Sequence, residues 1–198
     1  MPSPRPFIVF CLPRSRSAWL SHYLSYFPKR CGHDIVVECR KIEDFLVPFR
    51  QGLAGTVETG AMLGWRLIRM LMPEAKFVVL RRPLTEITAS LRRFGFDIEQ
   101  HELARRSAML EMISAQAGVR TIQAAELDDV EVGKWLFEEL LELPYDIEWH
   151  ERLIGINIQI DMAKRVEQLT KNYPFLETLK AEITARTALL GDAKWPLN

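Results

Sequence analysis

The 198 residues carry 26 Lys plus Arg against 26 Asp plus Glu, a formal net charge of zero, with a pI near 6.9. That balance argues against a nucleic-acid binder, whose usual footprint is a pI above about 9, and 48% hydrophobic with 26% charged residues excludes the composition of disorder. The sum hides an asymmetry, because residues 1–93 hold 15 basic and 7 acidic side chains while residues 94–198 hold 11 and 19. An anion site in the basic half and two solvated surfaces of opposite sign both fit it.

Phe7-Ile8-Val9-Phe10-Cys11-Leu12 is a continuous apolar run that stops at Pro13, which predicts a strand buried on both faces. The run is far too short for a membrane span or a signal-peptide core. From Ser17 the period changes: Trp19, Leu20, Tyr23, Leu24 and Phe27 recur at helical spacing up to Pro28. A second short strand is expected over Asp34 to Cys39, then a helix around Ile42 to Phe49. A third strand, Thr56 to Thr59, is bracketed by Gly55 and Gly60, with a helix from Ala61 to Met72 after it.

Lys76 to Leu80 reads as a further buried strand ended by Arg81-Arg82-Pro83, with Pro83 opening a helix to Phe94 that Gly95 closes. Residues 99–117 read as helix, Val119 to Ala124 as strand, and Asp128 to Leu143 as an acidic amphipathic helix with a double-Asp cap. The tail from Asp146 reads as helical throughout, punctuated by Pro174. Alternating strands and helices in a chain of this length imply one α/β domain over residues 1–198, a three-layer α/β/α sandwich around a parallel sheet, with a core over 1–145 and a helical segment over 146–198 packed on it. Cys11, Cys31 and Cys39 are odd in number and lack Cys-x-x-Cys spacing, which predicts a reduced, cytoplasmic protein without a disulfide framework or a cysteine metal site.

In an open α/β sheet, ligands meet the carboxyl ends of the strands. Two such junctions are basic. Leu12-Pro13-Arg14-Ser15-Arg16-Ser17-Ala18-Trp19 gathers two guanidinium groups and two hydroxyls, and Leu80-Arg81-Arg82-Pro83 repeats the form with Ser90 two turns further on. Solvated arginines beside Ser15 or Ser17 as a helix cap are the plainer account of the first, and surface charge that of the second. Together the two junctions suit a ligand with phosphates at both ends.

At these residues the chain resembles the sulfotransferases that use 3′-phosphoadenosine 5′-phosphosulfate. Pro13 to Trp19 is similar to the family's first loop, Pro-Lys/Arg-Ser-Gly-Thr/Ser-Thr-Trp, which cradles the 5′-phosphosulfate. Leu80-Arg81-Arg82-Pro83 through Ser90 is similar to its second motif, which holds the 3′-phosphate; Ala124 to Asp129 resembles the strand-end segment that follows. Arg16 stands where the family has Gly, and Ala18 where it commonly has a hydroxyl residue. Arg82 and Ser90 keep the family spacing and Arg81 does not, so the 3′-phosphate role is divided between the two arginines. The resemblance implies a P-loop-like fold, Arg14, Ser15, Arg16, Ser17, Ala18, Trp19, Arg81, Arg82 and Ser90 as nucleotide contacts, no metal, and sulfuryl transfer to a hydroxyl or amine of a small acceptor.

Such a transfer proceeds by in-line displacement, so the protein orients two substrates and neutralises charge, a task that falls to Arg14 and Arg16 with the backbone N–H groups of residues 15 to 19. A base must also take the acceptor's proton, and histidine has the most suitable pKa. His22 falls on the outer face of the first helix, and His101 and His150 lie in polar helical surroundings. His33, with Asp34 as an orienting carboxylate, is the candidate base, and an exposed loop histidine is its plain alternative. Glu58, at a strand end, is a second candidate, set against a capping role for Thr59 and a carboxylate near a helix start. Trp65, Trp135, Trp149 and Trp195 read as packing residues.

Three other readings compete with this one. A nucleotide kinase or NTPase needs Gly-x-x-x-x-Gly-Lys-Ser/Thr, but Gly55 to Gly60 continues as Ala61-Met62. A cysteine phosphatase needs one more residue between Cys11 and Arg16, and Pro13 lacks a donor N–H. A non-catalytic nucleotide-binding module of the same fold draws on Arg16 and Ala18. The expected partners are an anionic nucleotide and a small acceptor, with no nucleic acid and no membrane. The sequence leaves the acceptor and the oligomeric state open.

Overall fold

Phe7–Cys11 form strand β1, and every residue of it is buried. Successive side chains point to opposite faces of a strand. Phe7, Val9 and Cys11 accordingly enter one core, and Ile8, Phe10 and Leu12 enter another. A strand covered on both sides needs no polar alternation, which explains the unbroken apolar run. Each large side chain buried this way contributes about 1.5–3 kcal/mol.

The computed structural model describes residues 5–93 and 99–156. Two units divide the chain, residues 1–158 and 159–198, and all described residues belong to the first. In chain order they form β1, α1 (Ser17–Tyr23), β2 (Cys31–His33), a 3-10 turn (Ile35–Glu38), α2 (Ile42–Arg50), β3 (Gly55–Glu58), a 3-10 turn (Ala61–Gly64), α3 (Trp65–Leu71), β4 (Lys76–Arg81) and α4 (Leu84–Arg93). After these come α5 (Gln100–Ser114), β5 (Arg120–Gln123), a 3-10 turn (Ala124–Asp128), α6 (Val130–Trp135), a π-helical segment (Leu136–Leu141) and α7 (Ile147–Leu153).

The five strands make one parallel sheet in the order β2-β3-β1-β4-β5. Helix α1, the π-helical segment and α7 pack on the Phe7 face, while α2, α3, α4 and α5 pack on the Ile8 face. The architecture is therefore the expected α/β class, a parallel sheet between two helical layers. Gly55 explains part of the Gly55–Gly60 pair: a Cβ there would run into the ring of Phe7, the residue beside it in register.

Several boundaries differ from the sequence reading. The strand expected over Asp34 to Cys39 is instead the three-residue β2 followed by the Ile35–Glu38 turn, with Asp34 between them at φ 51°. His33 therefore ends β2 rather than preceding it. The helix expected over Asp128 to Leu143 is capped by Asp129, whose carboxylate accepts from Glu131 N and Val132 N, and widens into the π-helical segment after Trp135. His150 is buried, contrary to its polar sequence setting: its Nδ1 lies 2.8 Å from the Tyr23 hydroxyl. Phe94, Gly95 and the tail from residue 157, with Pro174 and Trp195, lie outside the described residues. Among the described residues no helix is long and apolar enough to cross a membrane.

Candidate functional site

Strands β1 and β4 are neighbours, yet the connection leaving β1 runs into α1 on one face and the connection leaving β4 runs into α4 on the other. Between them lies the crevice where an open α/β sheet receives ligands. The pairing of Cys11 with Leu80 brings the two basic loops side by side.

Arg14 crosses from the first loop to helix α4, its Nε donating to Ser90 Oγ at 3.0 Å. Arg82 reaches back, donating through Nη1 to the Arg14 carbonyl at 2.6 Å while its Nε meets Glu86 at 2.9 Å. Desolvation, and then the nearby Arg82 charge, lower the pKa of the Arg14 guanidinium. Two cations held this close favour an anion between them.

The loop backbone is unusual as well. Arg14 and Arg16 adopt left-handed conformations, with φ of 65° and 63°, a region that costs a residue other than glycine on the order of 1 kcal/mol or more. Left-handed residues are a building element of the backbone nests that bind anions. Between them Ser15 is fully buried, and its Oγ has no hydrogen-bond partner among the described residues. An unmet buried hydroxyl costs about 1–3 kcal/mol, and such groups in native folds call for a functional account.

Arg16 and Arg81 are committed elsewhere. Arg16 makes a bidentate pair with Asp128, donates to the Ala124 carbonyl at 3.3 Å, and lies 4.4 Å over the Trp19 ring. Its partners come from the segment that the sequence singled out as Ala124 to Asp129. Arg81 pairs with Glu111 on α5. Trp19 itself turns inward, stacked on Tyr23 at 5.0 Å with its Nε1 donating to the Leu153 carbonyl. Ala18 is half-buried.

The candidate base sits beside the first loop. His33 Nε2 is 3.0 Å from Ser17 Oγ, and His33 Nδ1 is 3.6 Å from Asp34 Oδ2. The other Asp34 oxygen accepts from Thr59 N at 2.6 Å and Thr59 Oγ1 at 2.9 Å. Glu58 returns the gesture from β3, accepting from Ile35 N at 2.9 Å, Val36 N at 3.4 Å and Thr56 Oγ1 at 2.6 Å. These two carboxylates lock the ends of β2 and β3 together and fix the turn that carries His33.

Burial, with the Asp34 charge as a smaller contribution, pushes the Glu58 carboxyl up to about 7 against the hydrogen bonds that stabilise its ionised form. That value suits a general base. Its geometry does not, because Glu58 is fully buried and both oxygens are occupied. At the end of β1, Cys11 is buried, and its thiol is pushed well up by desolvation first and by Asp34 and Glu58 second, the reverse of an activated nucleophile.

A cavity of about 430 Å³ lies apart from this crevice, between α4 and α5, lined by Thr85, Thr88, Arg92, Gln100 and Leu103 among others. Helical spacing sets Thr85, Thr88 and Arg92 on the side of α4 away from Ser90. Among the described residues no group of three or more His, Cys, Asp or Glu is placed to hold a metal ion. Neither a scan of protein-family models nor a search of curated proteins returns a match to this chain.

Of the residues that sequence reasoning singled out, Arg14, Arg82 and Ser90 meet at the crevice, and His33 and Asp34 stand at the end of β2 beside Ser17. The capping role of Glu58 toward Ile35 and Val36 was missed, and so was the Arg16 partner Asp128. The signal for Asp128 was present, since an arginine two residues from another at a strand end needs a counter-charge and the Ala124 to Asp129 segment offers one.

Proposed function

We propose that this chain is a sulfotransferase-like enzyme that moves a sulfuryl group from 3′-phosphoadenosine 5′-phosphosulfate to a hydroxyl or amine of a small acceptor. The observation that carries the reading is the meeting of Arg14 and Arg82, from the loops that end β1 and β4, with Ser90 of α4 at the β1–β4 crevice. The orphaned Ser15 hydroxyl and the Ser17–His33 pair beside it add donors and a base. This donor set fits an anionic nucleotide: Arg14, Ser15 and Ser17 on the phosphosulfate, and Arg82 with Ser90 on the 3′-phosphate. The nucleotide supplies an activated sulfuryl group with a good leaving phosphate.

Arg14 neutralises charge on the transferring group, and its bond to Ser90 fixes its direction. His33 accepts the acceptor's proton, with Asp34 holding the ring and Glu58 holding the turn. The three cysteines, all free, accord with work in a reducing compartment such as the cytoplasm.

The test is calorimetric titration with 3′-phosphoadenosine 5′-phosphate, followed by radiolabelled sulfate transfer to a panel of phenols, sugars and amines. Binding with an affinity lost in Arg14→Ala, together with transfer lost in His33→Ala, is the expected result. Absence of binding rules the reading out. One observation favours a non-catalytic nucleotide-binding module instead: Arg16 replaces a glycine and is tied to Asp128, which occupies the loop's second cation. Binding without transfer to any acceptor would support that module.

A further inference from the structure

Ser17 belongs to two groups at once. It lies in the loop that carries Arg14 and Ser15, and its Oγ is 3.0 Å from His33 Nε2. A serine hydroxyl has one hydrogen to donate. Asp34 Oδ2 stands 3.6 Å from His33 Nδ1, and a carboxylate there favours the hydrogen on Nδ1. The tautomer is thus assigned from the position of Asp34. Nε2 is then the acceptor, and the Ser17 hydrogen is spent on it.

We infer that Ser17 couples the two halves of the site: an anion bound at the loop draws the Ser17 hydroxyl away from His33 Nε2, so that His33 becomes a stronger base only when the anion is in place. This rests on the anion-binding reading of the loop. Two effects act in the same direction. Losing a hydrogen bond to the neutral ring's lone pair raises its affinity for a proton, and so does a negative charge nearby. By reciprocity, protonated His33 hands its own hydrogen to Ser17 Oγ and frees the hydroxyl for the anion, so protonation strengthens anion binding.

The groups around His33 set the controls. Cys31 and Asp34 lie within two residues of it in sequence, its register partner on β3 is Val57 with Glu58 next, and Ser17, which meets its Nε2, shares the loop with Arg14 and Arg16 and bonds Cys11 of β1. Desolvation first of all pushes both thiols up, so they stay neutral. Arg14 and Arg16 are turned to Ser90 and Asp128. Glu58, pushed up to about 7, titrates in the same range, and the Glu58→Gln variant separates its effect.

The experiment is a histidine Cε1–H NMR titration, with His33 assigned by His33→Gln, without ligand and with saturating 3′-phosphoadenosine 5′-phosphate. It is run on wild type, Glu58→Gln, Ser17→Ala and Ser17→Thr. The expected result is a rise of about one pH unit or more in the His33 pKa on binding, retained in Glu58→Gln and Ser17→Thr and less than half as large in Ser17→Ala. An unmoved His33 pKa with ligand bound, or an equal shift in Ser17→Ala, overturns the coupling and leaves the nucleotide reading standing. If the nucleotide does not bind, that reading falls, and the same titration in concentrated sulfate decides the coupling. Failure of sulfate to bind or to move His33 overturns it too.

Discussion

Arg16 and Asp128 form a bidentate pair, Nη2 to Oδ1 at 2.8 Å and Nη1 to Oδ2 at 3.0 Å, although 112 positions separate them in sequence. Arg81 is taken in the same way by Glu111. The acidic half of the chain thus supplies counter-charges to two of the four arginines that end β1 and β4, while Arg82 pairs with Glu86 and donates to the Arg14 carbonyl.

Removing the charge of Asp128 releases Arg16 to the loop. Asp128→Asn should tighten binding of 3′-phosphoadenosine 5′-phosphate roughly two- to fivefold and lower stability by less than about 1 kcal/mol, the scale of a partly exposed ion pair. Calorimetry and urea unfolding measure the two effects. Unchanged affinity would show that Arg16 has no part in the anion's field.

The two arginines ending β4 are separable. Arg82→Ala should weaken nucleotide binding about tenfold or more, since a hydrogen bond to a charged group is worth about 1.5–3 kcal/mol, and it also frees the Arg14 carbonyl. Arg81→Ala removes the Glu111 pair and should change affinity by less than about twofold. The reverse order of effects would move the 3′-phosphate contact to Arg81.

Glu58 gives stability a pH dependence of definite sign. Its carboxyl is raised from 4.5 to about 7 in the folded state, so between these values the folded chain binds more protons than the unfolded one. Stability from this group is present below about pH 4.5 and is lost as pH rises to 7, by about 3 kcal/mol at most. The difference in unfolding free energy between wild type and Glu58→Gln, followed by urea denaturation from pH 4.5 to 8, should fall across that window. A flat difference refutes the raised carboxyl.

Gly133→Ala inverts an ordinary expectation. Alanine is better than glycine inside a helix by about 1 kcal/mol, but a Cβ at this position in α6 lies 2.5 Å from His150 Nδ1. That ring is buried and bonded to Tyr23, so it has little room to yield, and the variant should lose about 1–3 kcal/mol. A thermal midpoint equal to or above wild type would contradict this packing.

The parts of the fold written in local pattern were legible. The runs Phe7 to Leu12 and Lys76 to Leu80 became central strands because residues buried on both faces leave a continuous apolar signal. Ile35-Val36-Val37 carries an equally good strand signal, yet it forms a 3-10 turn. The reason is tertiary: Asp34 takes a left-handed conformation, and the Glu58 carboxylate claims the N–H groups of Ile35 and Val36. His150 looked solvated for a similar reason, since Tyr23, Gly133 and Tyr145 reach it from other elements. In the site, residue types and the two strand ends were readable. Which arginines stay at the crevice was not, because that depends on where Asp128 and Glu111 arrive.

Helix α1, which follows the Pro13 to Arg16 loop, and the turn after it are fastened to the segment around α7 by bonds that each use at least one side chain. Trp19 Nε1 donates to the Leu153 carbonyl, Trp149 Nε1 donates to the Tyr23 carbonyl, Tyr23 meets His150, and Tyr26 donates to Asp146. The loop is therefore not a portable cassette of strand, turn and helix. Grafted onto another sheet without residues 146–153, it would carry the right letters and lack the brace that sets their direction.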